Sequence, residues 1–270
     1  MIFRVHPFLM GLLLMLPFRL VAQSTQLITS ARTVDSANNR KPTAKQAFVA
    51  DKGLTTEAAT TAVEAKVAAH LLPLFGERSK STEQIEHDIR FLSDCDQNFA
   101  SRQEASQFFA ARGWDYINDG QLDTAAYRFN LAYLLNEKNA DVYWGLGVVC
   151  YQQEKLPDAI RMLKKGLAYA DTNTVLMTDL ATVEIKFFQQ SKNPQLLTDA
   201  ENILNQAIAL DPANATAYIE MSLLFYTKGE YEKAWEALHK ARAIDLSVVD
   251  LAFLGDLLTK MPDPKGFFKR

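Results

Sequence analysis

Small and aromatic residues in the second half of this chain recur at a fixed interval, and that interval limits the architecture more than any other feature. Gly113 and Gly147 stand 34 residues apart, as do Ala125 and Ala159, Ala132 and Gly166, Ala200 and Ala234, and Ala207 and Ala241. A period of this length belongs to chains of repeated helix pairs, in which no unit buries its apolar face alone. The clearest copy, 108–136, reads FFAARGWDYINDGQLDTAAYRFNLAYLLN, two helical stretches broken at Asn118-Asp119-Gly120. On its second stretch Ala125, Phe129 and Ala132 place a bulky side chain between two small ones. The same trio returns as Ala159, Leu163, Gly166, then Ala200, Leu204, Ala207, then Ala234, Leu238, Ala241. Small residues at helical spacing let two helices approach closely.

This pattern resembles the tetratricopeptide-repeat family, whose unit carries a bulky residue, a small residue and a tyrosine, then alanine, phenylalanine, alanine and proline. The first three sites fall on Phe109, Gly113 and Tyr116; on Tyr143, Gly147 and Cys150; on Met177, Ala181 and Glu184; and on Tyr218, Ser222 and Phe225. The proline occurs once, as Pro212. Glu184 puts a carboxyl where the family packs an aromatic, which predicts either local opening or a buried hydrogen bond. The resemblance covers 106–246 and implies an all-α, right-handed superhelical stack of about four helix pairs with flanking capping helices. The units are 106–139, 140–173, 174–214 and 215–246. The third is longer by seven residues between Ala181 and Ala200. These either add about one turn to each helix, with Lys192-Asn193-Pro194 as a protruding tip, or form a longer loop.

A stack of this kind leaves apolar faces bare at both ends. Upstream, 53–105 predicts two helices. One runs from Thr55 to Leu72 with Val63, Val67 and Leu71 on one face, ended by Pro73; the other starts near Ser81 and turns Ile85, Ile89 and Leu92 inward. These either cap the stack or fold into its inner curve. Downstream, 247–270 predicts an amphipathic capping helix carrying Leu251, Leu254, Leu257 and Leu258, stopped by Pro262 and Pro264. The tail Gly266-Phe267-Phe268 is then either frayed or an apolar latch. Residues 23–52 are rich in Ser, Thr, Ala, Asn and Lys and read as a disordered spacer. In 1–22, Arg4 and His6 precede an apolar run from Phe8 to Leu16 broken by Pro17 and Arg19, the layout of a signal peptide cleaved after Ala22. That run is too short for a bilayer core of about 30 Å. Export to the periplasm or beyond is expected, with no stable membrane span after cleavage.

The formal net charge of −3 and pI near 5.9 provide no basic field, which argues against nucleic acid as a partner. Cys95 and Cys150 lack metal-ligand spacing and are either a disulfide or two inert thiols. The histidines, His6, His70, His87 and His239, are scattered, and no phosphate loop, GxSxG, HExxH or CxxC motif occurs. No metal, cofactor or catalytic set is therefore expected. What the family resemblance does imply is an inner surface that receives an extended peptide or a helix. Taking the residue after each interior site gives Ala110, Trp114, Ile117; Trp144, Val148, Tyr151; Thr178, Thr182, Ile185; Ile219, Leu223, Tyr226. This stripe is apolar and has no paired Lys and Asn to clamp a carboxylate. Partner contacts are expected from Trp114, Ile117, Trp144, Val148, Tyr151, Thr182, Ile219, Leu223 and Tyr226, with Asp179, Thr182 and Lys186 forming a polar segment that reads as either a solvated strip or a specificity contact. The competing reading has these side chains already buried against neighbouring repeats. The expected function is a non-catalytic protein-interaction module or scaffold in the cell envelope or outside it. The alternatives are a structural subunit of a larger exported assembly and, more distantly, an enzyme.

Overall fold

The computed structural model describes residues 69–269. These form ten α-helices, three short 3-10 turns and no strand. The helices are α1 (Thr82–Asn98), α2 (Arg102–Asn118), α3 (Leu122–Leu135), α4 (Ala140–Gln152), α5 (Leu156–Leu167), α6 (Thr174–Ser191), α7 (Gln195–Leu210), α8 (Ala215–Lys228), α9 (Tyr231–Ile244) and α10 (Leu251–Lys260). Contacts are densest within the pairs α2/α3, α4/α5, α6/α7 and α8/α9, and the second helix of each pair also packs on the first of the next. That is the repeat stack expected from the 34-residue period.

Three asparagines start the units. The side chains of Asn139, Asn173 and Asn214 accept from the backbone N–H of Asp141, Leu176 and Ala217 at 3.1, 3.0 and 3.0 Å. Each satisfies a donor that the first turn of a helix leaves without an internal partner. Inside the units the small sites act as clearances. The Phe129 ring of α3 rests on Gly113 of α2, and it also reaches across to Gly145 of α4, so one ring joins two units. A Cβ at Gly113 would lie 2.7 Å from that ring, and one at Gly145 only 2.0 Å. Leu163 sits on Gly147 in the same manner.

The seven extra residues of the third unit are helix rather than loop. α6 has 18 residues and α7 has 16, against 13 and 12 for α4 and α5. Lys192 turns the corner in a left-handed conformation, φ 57°, after which Pro194 caps α7.

At the N-terminal side, the expected helix over 55–72 falls mainly outside the described residues, Val63 and Val67 included, as do the expected signal peptide over 1–22 and the expected spacer over 23–52. Within them, Ala69–Leu71 and Pro73–Glu77 are two 3-10 turns joined as a strap. The strap lies on the second helices. Asn130 of α3 donates to the carbonyls of His70 and Leu72, both at 2.8 Å, and Leu74 is buried. Leu74, Phe75, Gly76 and Glu77 all have positive φ, a left-handed turn that L-residues take at some cost. Glu77 at its end pairs with Arg161 at 2.8 Å and with Lys165, both on α5. Among the described residues the upstream chain thus runs over the outer side of the stack and does not enter the inner curve.

α1 begins where the capping residues predicted, with Ser81 and Gln84 exchanging side-chain and backbone hydrogen bonds. Its buried face differs from the expectation. Ile85 and Ile89 are 47% and 60% exposed. The helix attaches through its later half, where Phe91 meets Phe109 edge-on at 5.2 Å, Phe99 lies 5.4 Å from Phe108, and Cys95 is buried. Aromatic area outweighs the two isoleucines in setting how the helix rolls.

At the other end, α10 covers the fourth unit with Phe253, Leu254 and Leu257, while Leu251 points outward at 80% exposure. The tail is a latch. The Asp263 carboxylate accepts from the N–H groups of Lys265 and Phe268 and from His239 Nε2, at 2.9, 2.9 and 2.7 Å. This turn stacks Phe268 on Trp235 and His239, and Arg242 lies 4.1 Å over the Phe267 ring.

Overpacking a closed core costs about 1–3 kcal/mol. Gly145→Ala is therefore expected to destabilise the chain by about 2 kcal/mol in urea unfolding, whereas the same change at Gly255, which has open space around it, stays within about 0.5 kcal/mol of the parent.

Candidate functional site

The first helices α2, α4, α6 and α8 carry the inner-curve stripe, and the structure places its members unequally. Trp114, Ile117, Trp144, Val148, Tyr151, Asp179, Thr182 and Ile219 are buried, while Leu223 and Tyr226 are half-buried. The stripe is a seam between first helices rather than an open row of anchors. Trp114 meets Phe129 and Trp144 edge-on at 5.6 and 5.3 Å, and Trp144 Nε1 donates to Asp179 Oδ2 at 2.7 Å. Lys186 reaches back from α6, with its ammonium 4.4 Å over the Tyr151 ring and 2.7 Å from Glu154. Tyr226 spends part of its surface on Tyr231 and on Phe253 of the capping helix. Of the surfaces assigned to a partner from sequence, Leu223, Tyr226 and Lys186 are those with solvent access.

The polar segment around Asp179 is not a solvated strip. Asp179 and Thr182 are buried, and a third polar group, Glu220 of α8, is buried completely. Burial drives the Asp179 carboxyl well above its ordinary range, against the Trp144 hydrogen bond, which favours the charged form. Burial likewise pushes Glu220 up to about 7, opposed only by the Thr182 hydroxyl beside it. Tyr151 is raised to about 12, first by burial and then by the negative field of Glu220.

Glu184, the departure from the aromatic pattern, is a buried acid paired with a half-exposed lysine. It is 1% exposed, lies 2.9 Å from Lys164 Nζ of α5, and is held at about 7 because burial outweighs the cation. Lys164 also approaches Asp199 at 3.5 Å. The third unit therefore stays closed at this point.

Glu220 was not among the expected site residues, yet a signal for it exists. Ala111, Gly145, Asp179 and Glu220 occupy one place in successive units, spaced 34, 34 and, across the enlarged unit, 41 residues. Small residues in the first two units give way to acids in the last two. The remaining chemistry is quiet. Cys95 and Cys150 are free and buried, each thiol pushed up to about 12 by desolvation. No group of three or more His, Cys, Asp or Glu among the described residues is placed to hold a metal ion. No described helix is long and apolar enough to cross a membrane.

Fold shapes the Glu184 titration in a defined direction. Its folded value, about 7, exceeds the ordinary 4.5, so its contribution to stability is full below 4.5 and declines as pH rises toward 7. Without Lys164 the folded value climbs further. Lys164→Met is thus expected to match the parent in urea unfolding at pH 5 and to be clearly less stable at pH 8.5; equal losses at both would contradict this electrostatic account.

No protein-family model matches the sequence, and comparison with curated proteins found none that is similar. Solved structures do resemble it. The pilF protein of Pseudomonas aeruginosa shares 20% identity over 63% of this chain and 79% of its own, with a TM-score of 0.51. TTC0263, a thermophilic TPR protein of Thermus thermophilus, shares 18% over 59% of this chain and 93% of its own, with a TM-score of 0.49. YrrB, described as a TPR protein with an unusual peptide-binding site, shares 18% over 65% and 94%, with a TM-score of 0.46. At these identities the likeness is one of fold.

Proposed function

We propose, for a chain that is a tetratricopeptide-repeat protein by its fold, that it is a non-catalytic interaction module whose inner curve receives a segment of another protein. The observation that carries this reading is the uneven closure of the inner seam. Through the first three units its side chains are buried against one another, which makes a rigid floor. At the fourth unit Leu223 and Tyr226 stay half-open beside that floor, with Lys186 at its edge. Aromatic and aliphatic side chains that are preorganised and partly desolvated make effective contact points. Such a site favours an apolar segment, and it carries no cation pair to hold a free carboxylate terminus.

The same proposal places the protein outside the cytoplasm, on the strength of the charged start, the short apolar run and Ala22 in residues 1–22. A mature protein beginning at Gln23 supports that part, and one beginning at Met1 removes it.

The binding surface is tested by placing a photo-crosslinking residue at Leu223 in one variant and at exposed Glu236 of α9 in another, then irradiating cells of the source organism. A discrete protein captured from position 223 and not from 236 is the expected result. Identical capture from both positions, or none from 223 in a folded protein, removes the inner curve as the site.

A further inference from the structure

The two acids at the shared place in the third and fourth units are each turned against the first helix of the preceding unit. Asp179 of α6 meets α4 and is satisfied there by Trp144. Glu220 of α8 meets α6 and has no such donor, for neither of its oxygens receives a hydrogen bond although the side chain is fully buried. The hydroxyl beside it, that of Thr182, already gives its proton to the Thr178 carbonyl at 3.0 Å, and can serve a Glu220 carboxylate only by giving up that bond. A protonated Glu220 can donate to the same hydroxyl without disturbing that bond. Asp179 of α6 and the Tyr151 phenol of α4 both feel the negative field of Glu220, and the cation on this face, Lys186, is held by Glu154. Among the described residues, α7 and α9 contribute no charge to it. In the first two units Ala111 and Gly145 leave the equivalent contact free of charge.

We propose that Glu220 is a proton-operated catch between the third and fourth units: protonated, it donates to the Thr182 hydroxyl and holds α6 against α8; ionised, its one donor is that hydroxyl, already committed to the Thr178 carbonyl, and the seam parts. Parting wets Thr182, Ile219 and Glu220, and so widens the inner curve beside Leu223. The catch stands on the seam alone, whatever the inner curve binds. In the open seam the carboxyl titrates near its ordinary 4.5, while in the shut seam burial lifts it to about 7. The shut state is therefore fully held below 4.5, is progressively weakened up to about 7, and loses nothing more beyond it.

Amide hydrogen exchange of the full chain at pH 5, 6, 7 and 8, corrected for the intrinsic rate, tests this. Peptides from α6 and α8 should lose protection about tenfold per pH unit from 5 to 7 and then level off, as one linked proton requires. Peptides from α2 and α3 should not. Glu220→Gln, whose amide still donates to Thr182, and Glu220→Met, which keeps the bulk without charge, should each flatten the pH dependence of α8 and reduce that of α6, where Glu184 and Asp179 still titrate. A parent chain whose α6 and α8 show no greater loss than α2 and α3 overturns the proposal, with or without the variants. A folded variant that retains the parent's pH dependence also overturns it.

Discussion

The whole stack depends on how closely two helices can lie across a small residue. Phe129 fits because Gly113 and Gly145 have no side chains, and Leu163 fits because Gly147 has none. Once those contacts are made, the ring and the aliphatic branch fill the space that a larger neighbour would have taken, and the helix axes are fixed relative to one another. Everything placed by the first helices follows from this spacing. The tryptophan edge contacts, the Trp144–Asp179 hydrogen bond and the cation over Tyr151 all need α2, α4 and α6 at a short and constant separation.

What was readable in advance divides along physical lines. The fold was legible because its determinants are periodic: small residues at 34-residue spacing leave little choice of architecture, and even the enlarged third unit keeps its buried face by adding helix on both sides of Lys192. The asparagine starts could have been read from the same period. Less legible was which way single side chains turn once units meet. Ile85 and Ile89 have correct helical spacing, but the larger aromatic contacts of Phe91 and Phe99 roll α1 away from them. The inner stripe was identified residue by residue, yet its burial depends on the angle between successive first helices, which no local pattern encodes. Glu220 lay hidden for a similar reason, since a glutamate on a helix reads as solvated until a neighbouring helix is known to cover it.

The inner curve consequently has two characters. Over the first three units it is a closed core of aromatic and aliphatic groups, with polar atoms only where a partner exists or where the group is held neutral. At the fourth unit it becomes accessible, and the capping helix shares Tyr226 with it through Phe253. The latch of Asp263, Phe267 and Phe268 closes the outer side of the same unit. The ends of the stack are therefore finished by different means, an aromatic hook at one and a strap with a capped helix at the other.

In a plain repeat array each unit feels only its neighbours, so a bend can be shared out evenly along the length. The strap changes that distribution. Asn130 fixes it to the second helix of the first unit, and Glu77 takes hold of Arg161 and Lys165 on the second helix of the next. With Phe129 already joining the same two units on the inside, these are tied on both of their faces, like the two flanges of a beam. Flexure of the superhelix is thereby displaced toward the third and fourth units.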